Sequence, residues 1–242
     1  MKRLVGKKIL ITGASSGFGH GIALACAAEG AELALVGRNE QRLQAVAEQV
    51  KAEGGQAVVC VADIADEAQI LAAVAQAKAT LGQIDVLIND AGMNVTQRSI
   101  KDTSSEQWRQ LIDVNLTAAF IFTKALLPDM IARQEGTIIN VASRAALHPH
   151  LAGGVGYSTS KQGMDALTQV TNEEANQHGV RACLLCPGVG NTPLLDRRPV
   201  PPPQEQRLKM LQPEDVAAVA VLIAAMPPRV NIELVSMLPT RL

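Results

Sequence analysis

Aromatic side chains are almost missing from this 242-residue sequence: Phe18, Trp108, Phe120, Phe122 and Tyr157 make up 2% of it. A core so poor in rings must be packed with Ala, Val, Leu and Ile, as buried parallel sheets and their helices are. Charge of one sign is lacking too. The net charge of -1 at pH 7 argues against general affinity for nucleic acid or anionic membranes. Cysteines number four, and only Cys183 and Cys186 have the spacing of half a metal site, with no second pair following. They fall on an apparent strand, where positions i and i+3 face opposite sides. All four cysteines are therefore expected to be buried apolar residues, with no metal bound. Long apolar runs are absent as well: Val216–Met226, read as the longest strongly apolar helical run, is too short to cross a bilayer. Lysines inside the apolar N-terminal stretch (Met1–Thr12) argue against a signal peptide. The cytoplasm is the expected location.

What is present is an ordinary globular composition, 48% hydrophobic and 19% charged, of a length that suits one large α/β domain spanning residues 1–242. Apolar runs of strand length alternate with helical patterns. Strands are expected at Lys8–Thr12, Leu33–Gly37, Ala57–Ala62, Ile84–Asn89, Thr137–Ala142 and Val180–Cys186. Helices are expected at Gly17–Glu29, Gln41–Glu53, Glu67–Leu81, Ser105–Arg133 and Gly156–His178. Repeated β-α-β-α with right-handed crossovers builds a parallel sheet sandwiched between helices. The pattern weakens after Pro187, and residues 193–213 hold six prolines. This segment is either a linker or, because it follows a strand C-terminus, a loop covering a substrate.

Between the first strand and first helix lies a glycine-rich turn, with Gly13, Ser15, Ser16, Gly17, Phe18 and Gly19. Its glycines let the backbone turn sharply and let a pyrophosphate approach main-chain N–H groups at a helix N-terminus. Placed inside a β-α-β unit, such a turn points to a dinucleotide. An acidic residue about 20 positions on would hold a ribose 2′-OH. Here strand two ends Val36-Gly37-Arg38-Asn39, with no acid before Glu40. Arg38 suits a 2′-phosphate and can stack on adenine, so NADP(H) is favoured over NAD(H). Asp63, with Ile64 beside it, is placed either for the adenine amino group or to cap the third helix.

Tyr157 and Lys161 stand at i and i+4, on one face of a helix. A free phenol has a pKa of about 10, and a nearby ammonium lowers it into a range useful for proton transfer. Ser143 ends strand five and is placed to donate a hydrogen bond to a substrate oxygen as charge builds there.

Together these pieces resemble the short-chain dehydrogenase/reductase family, from Lys7 to about Thr192. The motifs are Thr12-Gly13-x3-Gly17-x-Gly19, Asn89-Asp90-Ala91-Gly92, Asn115, Ser143, Tyr157-x3-Lys161 and Pro187-Gly188. The resemblance implies a Rossmann-type three-layer α/β sandwich with a doubly wound parallel sheet. It implies Tyr157 as general acid in carbonyl reduction, Lys161 lowering its pKa and binding the nicotinamide ribose, Ser143 polarising the carbonyl and Asn115 holding a water. It further implies that Asn89 braces the sheet and that Ala91 and Gly92 leave room for the cofactor. Pro187, Gly188 and Thr192 would flank the nicotinamide amide, with Val189 near the ring. Asp90 replaces the family's frequent second asparagine, a departure read as harmless. The tail Arg229–Thr240 resembles that of the 3-hydroxy-acid and serine-type dehydrogenase branch. A homodimer through the two long helices is the simpler expectation, a homotetramer the other.

The expected substrate is a small carbonyl compound or secondary alcohol, with Met93, Asn94, Arg144, Ala145, His148, His150, Val189, Gly190 and Leu194 lining the pocket. Arg144 and the histidines would receive an acidic group or else sit on the rim in water. The competing readings are a non-catalytic NADP(H) sensor and a sugar-nucleotide epimerase or dehydratase.

Overall fold

The computed structural model describes residues 2–241. The strands β1 (Lys8–Thr12), β2 (Glu32–Gly37), β3 (Gln56–Val61), β4 (Val86–Asn89), β5 (Gly136–Val141), β6 (Val180–Pro187) and β7 (Leu234–Met237) form one sheet in the order β3-β2-β1-β4-β5-β6-β7. Every pairing is parallel. The chain runs outward from β1 to β3 and returns to β4, so the strand order reverses between β1 and β4. In an open parallel sheet the ligand crevice lies beyond the C-terminal ends of the strands at that switch point. The fold is the expected Rossmann-type α/β sandwich.

Helices cover both faces. On one, α1 (Gly17–Ala28), α2 (Glu40–Ala52) and α9 (Pro213–Ala224) close a core that includes Ile22, Leu43 and Val216. On the other, α3 (Glu67–Leu81) and α5 (Ala118–Arg133) pack Ile70, Phe122 and Met130 against Leu10, Leu87 and Ile138. Adjacent strand residues supply opposite faces, which is why Leu10 and Ile11 belong to different clusters. Phe122 is the one ring fully inside this core, so the Ala/Val/Leu/Ile packing inferred from composition holds. The four cysteines are free and buried, and no grouping of metal-binding side chains exists among the described residues.

Two elements differ from expectation. The helix expected over 105–133 is divided into α4 (Ser105–Ile112) and α5 by a wider, π-type turn at Asp113–Thr117. α4 starts at a reciprocal cap in which Ser104 Oγ accepts from the Gln107 amide and the Gln107 side chain accepts from the Ser104 amide. The 29-residue stretch Ser105–Arg133 is also long and apolar enough to cross a bilayer by composition, so Val216–Met226 is not the longest such run; half of its most apolar window is buried inside the protein. The second difference is β7, a seventh strand that the sequence pattern hides. It is four residues long, lies on the edge and alternates between exposed and half-buried positions, so no continuous apolar run marks it.

The remaining elements are α6 (Arg144–Leu147), α7 (Val155–Ala175), a 3₁₀ turn at Pro193–Arg197 and α8 (Gln204–Arg207). Residues 193–213 thus carry short helical turns, tied down by an ion pair between Arg207 and Asp196 and by bonds from Gln212 Nε2 to the carbonyls of Arg207 and Met210.

Candidate active site

A cavity of about 620 Å³ opens at the switch point. Its floor is the turn between β1 and α1. Gly13 has φ +72°, and a Cβ there would come within 2.8 Å of Ala91 Cα, so only glycine lets β1 and β4 approach this closely. Thr12 Oγ1 receives the amides of Asp90 and Ala91, each at 3.1 Å, pinning β4 to the turn. α1 has no side-chain cap and no acidic residue of its own in its first turn, so the amides of Gly17 and Phe18 remain available to an anion, while that of Gly19 faces Asp90.

At one end of the cavity lie Arg38, Asn39 and Ile64, as expected, together with Arg42, which the sequence reading passed over. Asn39 caps α2 by accepting from the Arg42 amide at 2.9 Å, which fixes where Arg42 starts. Asp63 lies 4.0 Å from Arg38 and accepts from the Ala65 amide. It does not cap α3; Asp66 does, accepting from Ala68 and Gln69. The capping alternative for Asp63 is thereby corrected: the cap falls three residues later, directly before the helix.

At the other end stand Tyr157 and Lys161 from α7, with Gly92 and Met93 from the β4 loop and Thr192 and Leu194 from the segment after β6. Lys161 is 3% exposed. Its ammonium donates to the Val141 carbonyl at 3.0 Å and to Met164 Sδ, and lies 5.8 Å from the Tyr157 ring centroid. Burial pulls its pKa down, opposed by the negative charge of Asp90. Burial pushes the Tyr157 phenol above its ordinary value; a hydrogen bond with Ser143 and the positive charge of Arg98 favour the phenolate, whereas Asp90 opposes it. The Lys161 ammonium is turned to the end of β5, where it bonds to the Val141 carbonyl.

Ser143 is the N-cap of α6, its Oγ accepting from the Ala145 amide at 3.1 Å. Asn115 lies in the π-type turn and is buried. Its Oδ1 accepts from the Met93 amide at 2.7 Å, while Nδ2 donates to the Met93 carbonyl at 3.0 Å and to Ser160 Oγ at 3.1 Å. Such turns inside helices are recurrent at functional sites. Arg98 was missed altogether. Its guanidinium donates to the carbonyls of Val95, Ala152 and Arg197, joining three segments beside the cavity; a lone arginine in a loop gives no sequence signal of this.

Other expected residues stand behind the cavity rather than on its wall. Asn89 donates to Asn140 Oδ1 at 2.9 Å, bracing β4 against β5, while its own Oδ1 has no partner. Gly19 backs onto Gly13 and Asp90. Pro187 ends β6, and the Gly188 amide donates to the Met237 carbonyl at 2.8 Å. Val189 accepts from the Leu211 amide, and Gly190 lies under the Phe18 ring. Asn94 is buried and bonds to the Gly153 carbonyl. Ala145 is buried in α6, whereas His148 and His150 are exposed. His150 Nδ1 accepts from the Gly153 amide at 3.0 Å, so this ring is spent on its own loop. Neither His148, His150 nor Arg144 lines the cavity.

Residues 7–200 match the family model described as short chain dehydrogenase. An oxidoreductase of Staphylococcus saprophyticus is 33% identical over 241 residues, covering 99% of this chain and 100% of its own. Among solved structures, a metagenomic short-chain oxidoreductase in complex with NADP is 32% identical with a TM-score of 0.85, covering 98% of this chain and 99% of its own. An alcohol dehydrogenase from the archaeon Thermococcus sibiricus, complexed with 5-hydroxy-NADP, is 27% identical with a TM-score of 0.86, covering 97% of each chain.

Proposed function

The chain belongs to the short-chain dehydrogenase family and is an oxidoreductase of that type, and we propose that it moves a hydride between NADP(H) and a carbonyl or secondary-alcohol substrate, with Tyr157 as the proton donor and acceptor. The observation that carries this is the placing of Tyr157 and Lys161 at one end of a cavity whose other end holds Arg38 and Arg42, with Ser143 hydrogen-bonded to Tyr157 just behind the wall. A dinucleotide fits these residues. The uncapped first turn of α1 suits its pyrophosphate, and the contact of Gly13 with Ala91 leaves the backbone bare where phosphate approaches. β2 ends without an acid, and two arginines face the cavity beyond it, which supports a 2′-phosphate.

The nicotinamide would supply the hydride chemistry; the chain supplies the rest. Tyr157 holds the proton that a carbonyl oxygen receives in reduction, and its phenol, raised by burial, keeps that proton at neutral pH. Ser143 donates to the same oxygen as charge develops there. Lys161, released from Val141, is the cation for the nicotinamide ribose, and Asn115 anchors Met93 in the adjoining wall. Residues 193–213 contribute Thr192's neighbours Pro193, Leu194 and Arg197 to the cavity rim and act as the substrate cover. The assembly is a homo-oligomer built on the long helices, where Trp108, Phe120 and Val170 remain exposed.

The test is Tyr157→Phe, assayed by NADPH absorbance over a panel of ketones and aldehydes. Turnover should fall by about 10²–10⁴-fold while NADPH binding persists. Undiminished turnover in that variant removes Tyr157 from the mechanism.

A further inference from the structure

Asp90 is the one acidic side chain on the wall of the cavity, and the mechanism above has no use for it. We propose that Asp90 takes up a proton from solvent when a dinucleotide binds, so that this side chain makes cofactor affinity fall as pH rises. The inference rests on the dinucleotide reading of the cavity.

The geometry begins at Gly19. A Cβ on that residue would lie 2.7 Å from Asp90 Oδ2, so the carboxylate is pressed against the backbone of the first turn of α1, and the Gly19 amide favours its charged form. Asp90 thus occupies, from β4, the helix end whose other amides are left free of caps and acids. A pyrophosphate bound at the same turn would put further negative charge beside a carboxylate that is already removed from water. Two like charges sharing one site cannot both be ionised cheaply; the weaker acid takes a proton.

The surrounding groups offset this only in part. Asp90 makes no ion pair among the described residues; the Lys161 ammonium attracts it from α7, but less strongly than burial disfavours its charge. Tyr157, also on α7, feels Asp90 as a charge that raises its pKa. Cys186 of β6, beside Lys161, is held protonated up to about 11. From β1 the nearest group is the Thr12 hydroxyl, which carries no charge and is bonded to the Asp90 amide. Burial already pushes the Asp90 carboxyl well above the carboxylate range, and bound phosphate pushes it the same way. The sign follows: below the free-state value the site is protonated and binds at full strength. Above it, binding must include protonation, and the dissociation constant rises by up to about tenfold per pH unit.

The experiment is a ¹³C NMR titration of protein labelled at the aspartate carboxyls, the Asp90 signal being identified by its loss in Asp90→Asn. The titration is run alone and with saturating NADPH or NADH, the latter lacking a titratable 2′-phosphate. The expected midpoint lies above the ordinary carboxylate range and moves up by about one unit or more with either cofactor. By calorimetry, Asp90→Asn should bind NADH several-fold more tightly at pH 8 than wild type and lose the proton uptake. An Asp90 midpoint that either cofactor leaves unmoved overturns the inference while leaving the dinucleotide reading intact. Failure of the wild-type protein to bind any dinucleotide overturns both.

Discussion

The Phe18 ring covers Gly190 so closely that a Cβ on Gly190 would come within 2.1 Å of Phe18 Cζ. Phe18 belongs to the glycine turn and Gly190 to the segment after β6, so this contact backs the Phe18 wall of the cavity with that segment. Gly190→Ala therefore forces the ring aside. The expected cost is about 1–3 kcal/mol from overpacking, read by urea unfolding, with weaker NADPH binding because the displaced ring enters the turn that would hold phosphate. Phe18→Leu in the same chain should restore much of both. No recovery in the double variant would show that the ring contact is not the source of the loss.

The pair Arg38 and Asp63 bears on cofactor choice. At 4.0 Å, with both side chains largely exposed, it holds Arg38 only weakly, leaving the guanidinium free to turn to a phosphate. Arg38→Ala should weaken NADPH binding by about tenfold to a hundredfold, the worth of a charge-assisted hydrogen bond of about 1.5–3 kcal/mol, and leave NADH binding nearly unchanged. Arg38→Ala combined with Arg42→Ala should bring the two cofactors to similar affinity. Equal loss for NADPH and NADH would place Arg38 against the adenine ring instead of a phosphate.

Arg98 makes a prediction about pH. Its positive charge favours the Tyr157 phenolate, and alcohol oxidation needs that phenolate as base. Removing the charge raises the phenol further, so Arg98→Met should move the rising limb of the oxidation profile to higher pH. Arg98→Lys keeps a charge there and should move it less, although both variants loosen the bonds to Val95, Ala152 and Arg197. Identical profiles for the two variants would mean that Arg98 acts on the loops alone.

How far the sequence could be read depended on whether a feature is local. α3 falls at Glu67–Leu81 as expected, because an amphipathic period and a terminal glycine are local signals. β7 was missed because a four-residue edge strand shows no continuous apolar run. The π-type turn was missed because the apolar pattern continues through 113–117 while the backbone widens to bury Asn115. The same division holds in the site. Tyr157 and Lys161 share a helix and could be paired by spacing. The closeness of Asp90 to Gly19, of Phe18 to Gly190 and of Arg98 to the Tyr157 end joins segments distant in the chain, and only the fold brings them together.

Asn115 is where a site residue and a stability residue coincide. Its side chain satisfies both the amide and the carbonyl of Met93 and receives nothing in exchange from solvent, being 1% exposed. Asn115→Leu keeps the volume but strands those two backbone groups, at about 1–3 kcal/mol for each one left buried without a partner. Urea unfolding should therefore show a marked loss, and NADPH turnover should fall with it because Met93 lines the cavity. If Asn115 did no more than hold a water for proton exchange, turnover would fall while stability stayed at the wild-type value. The bonds to Met93 argue for the combined loss.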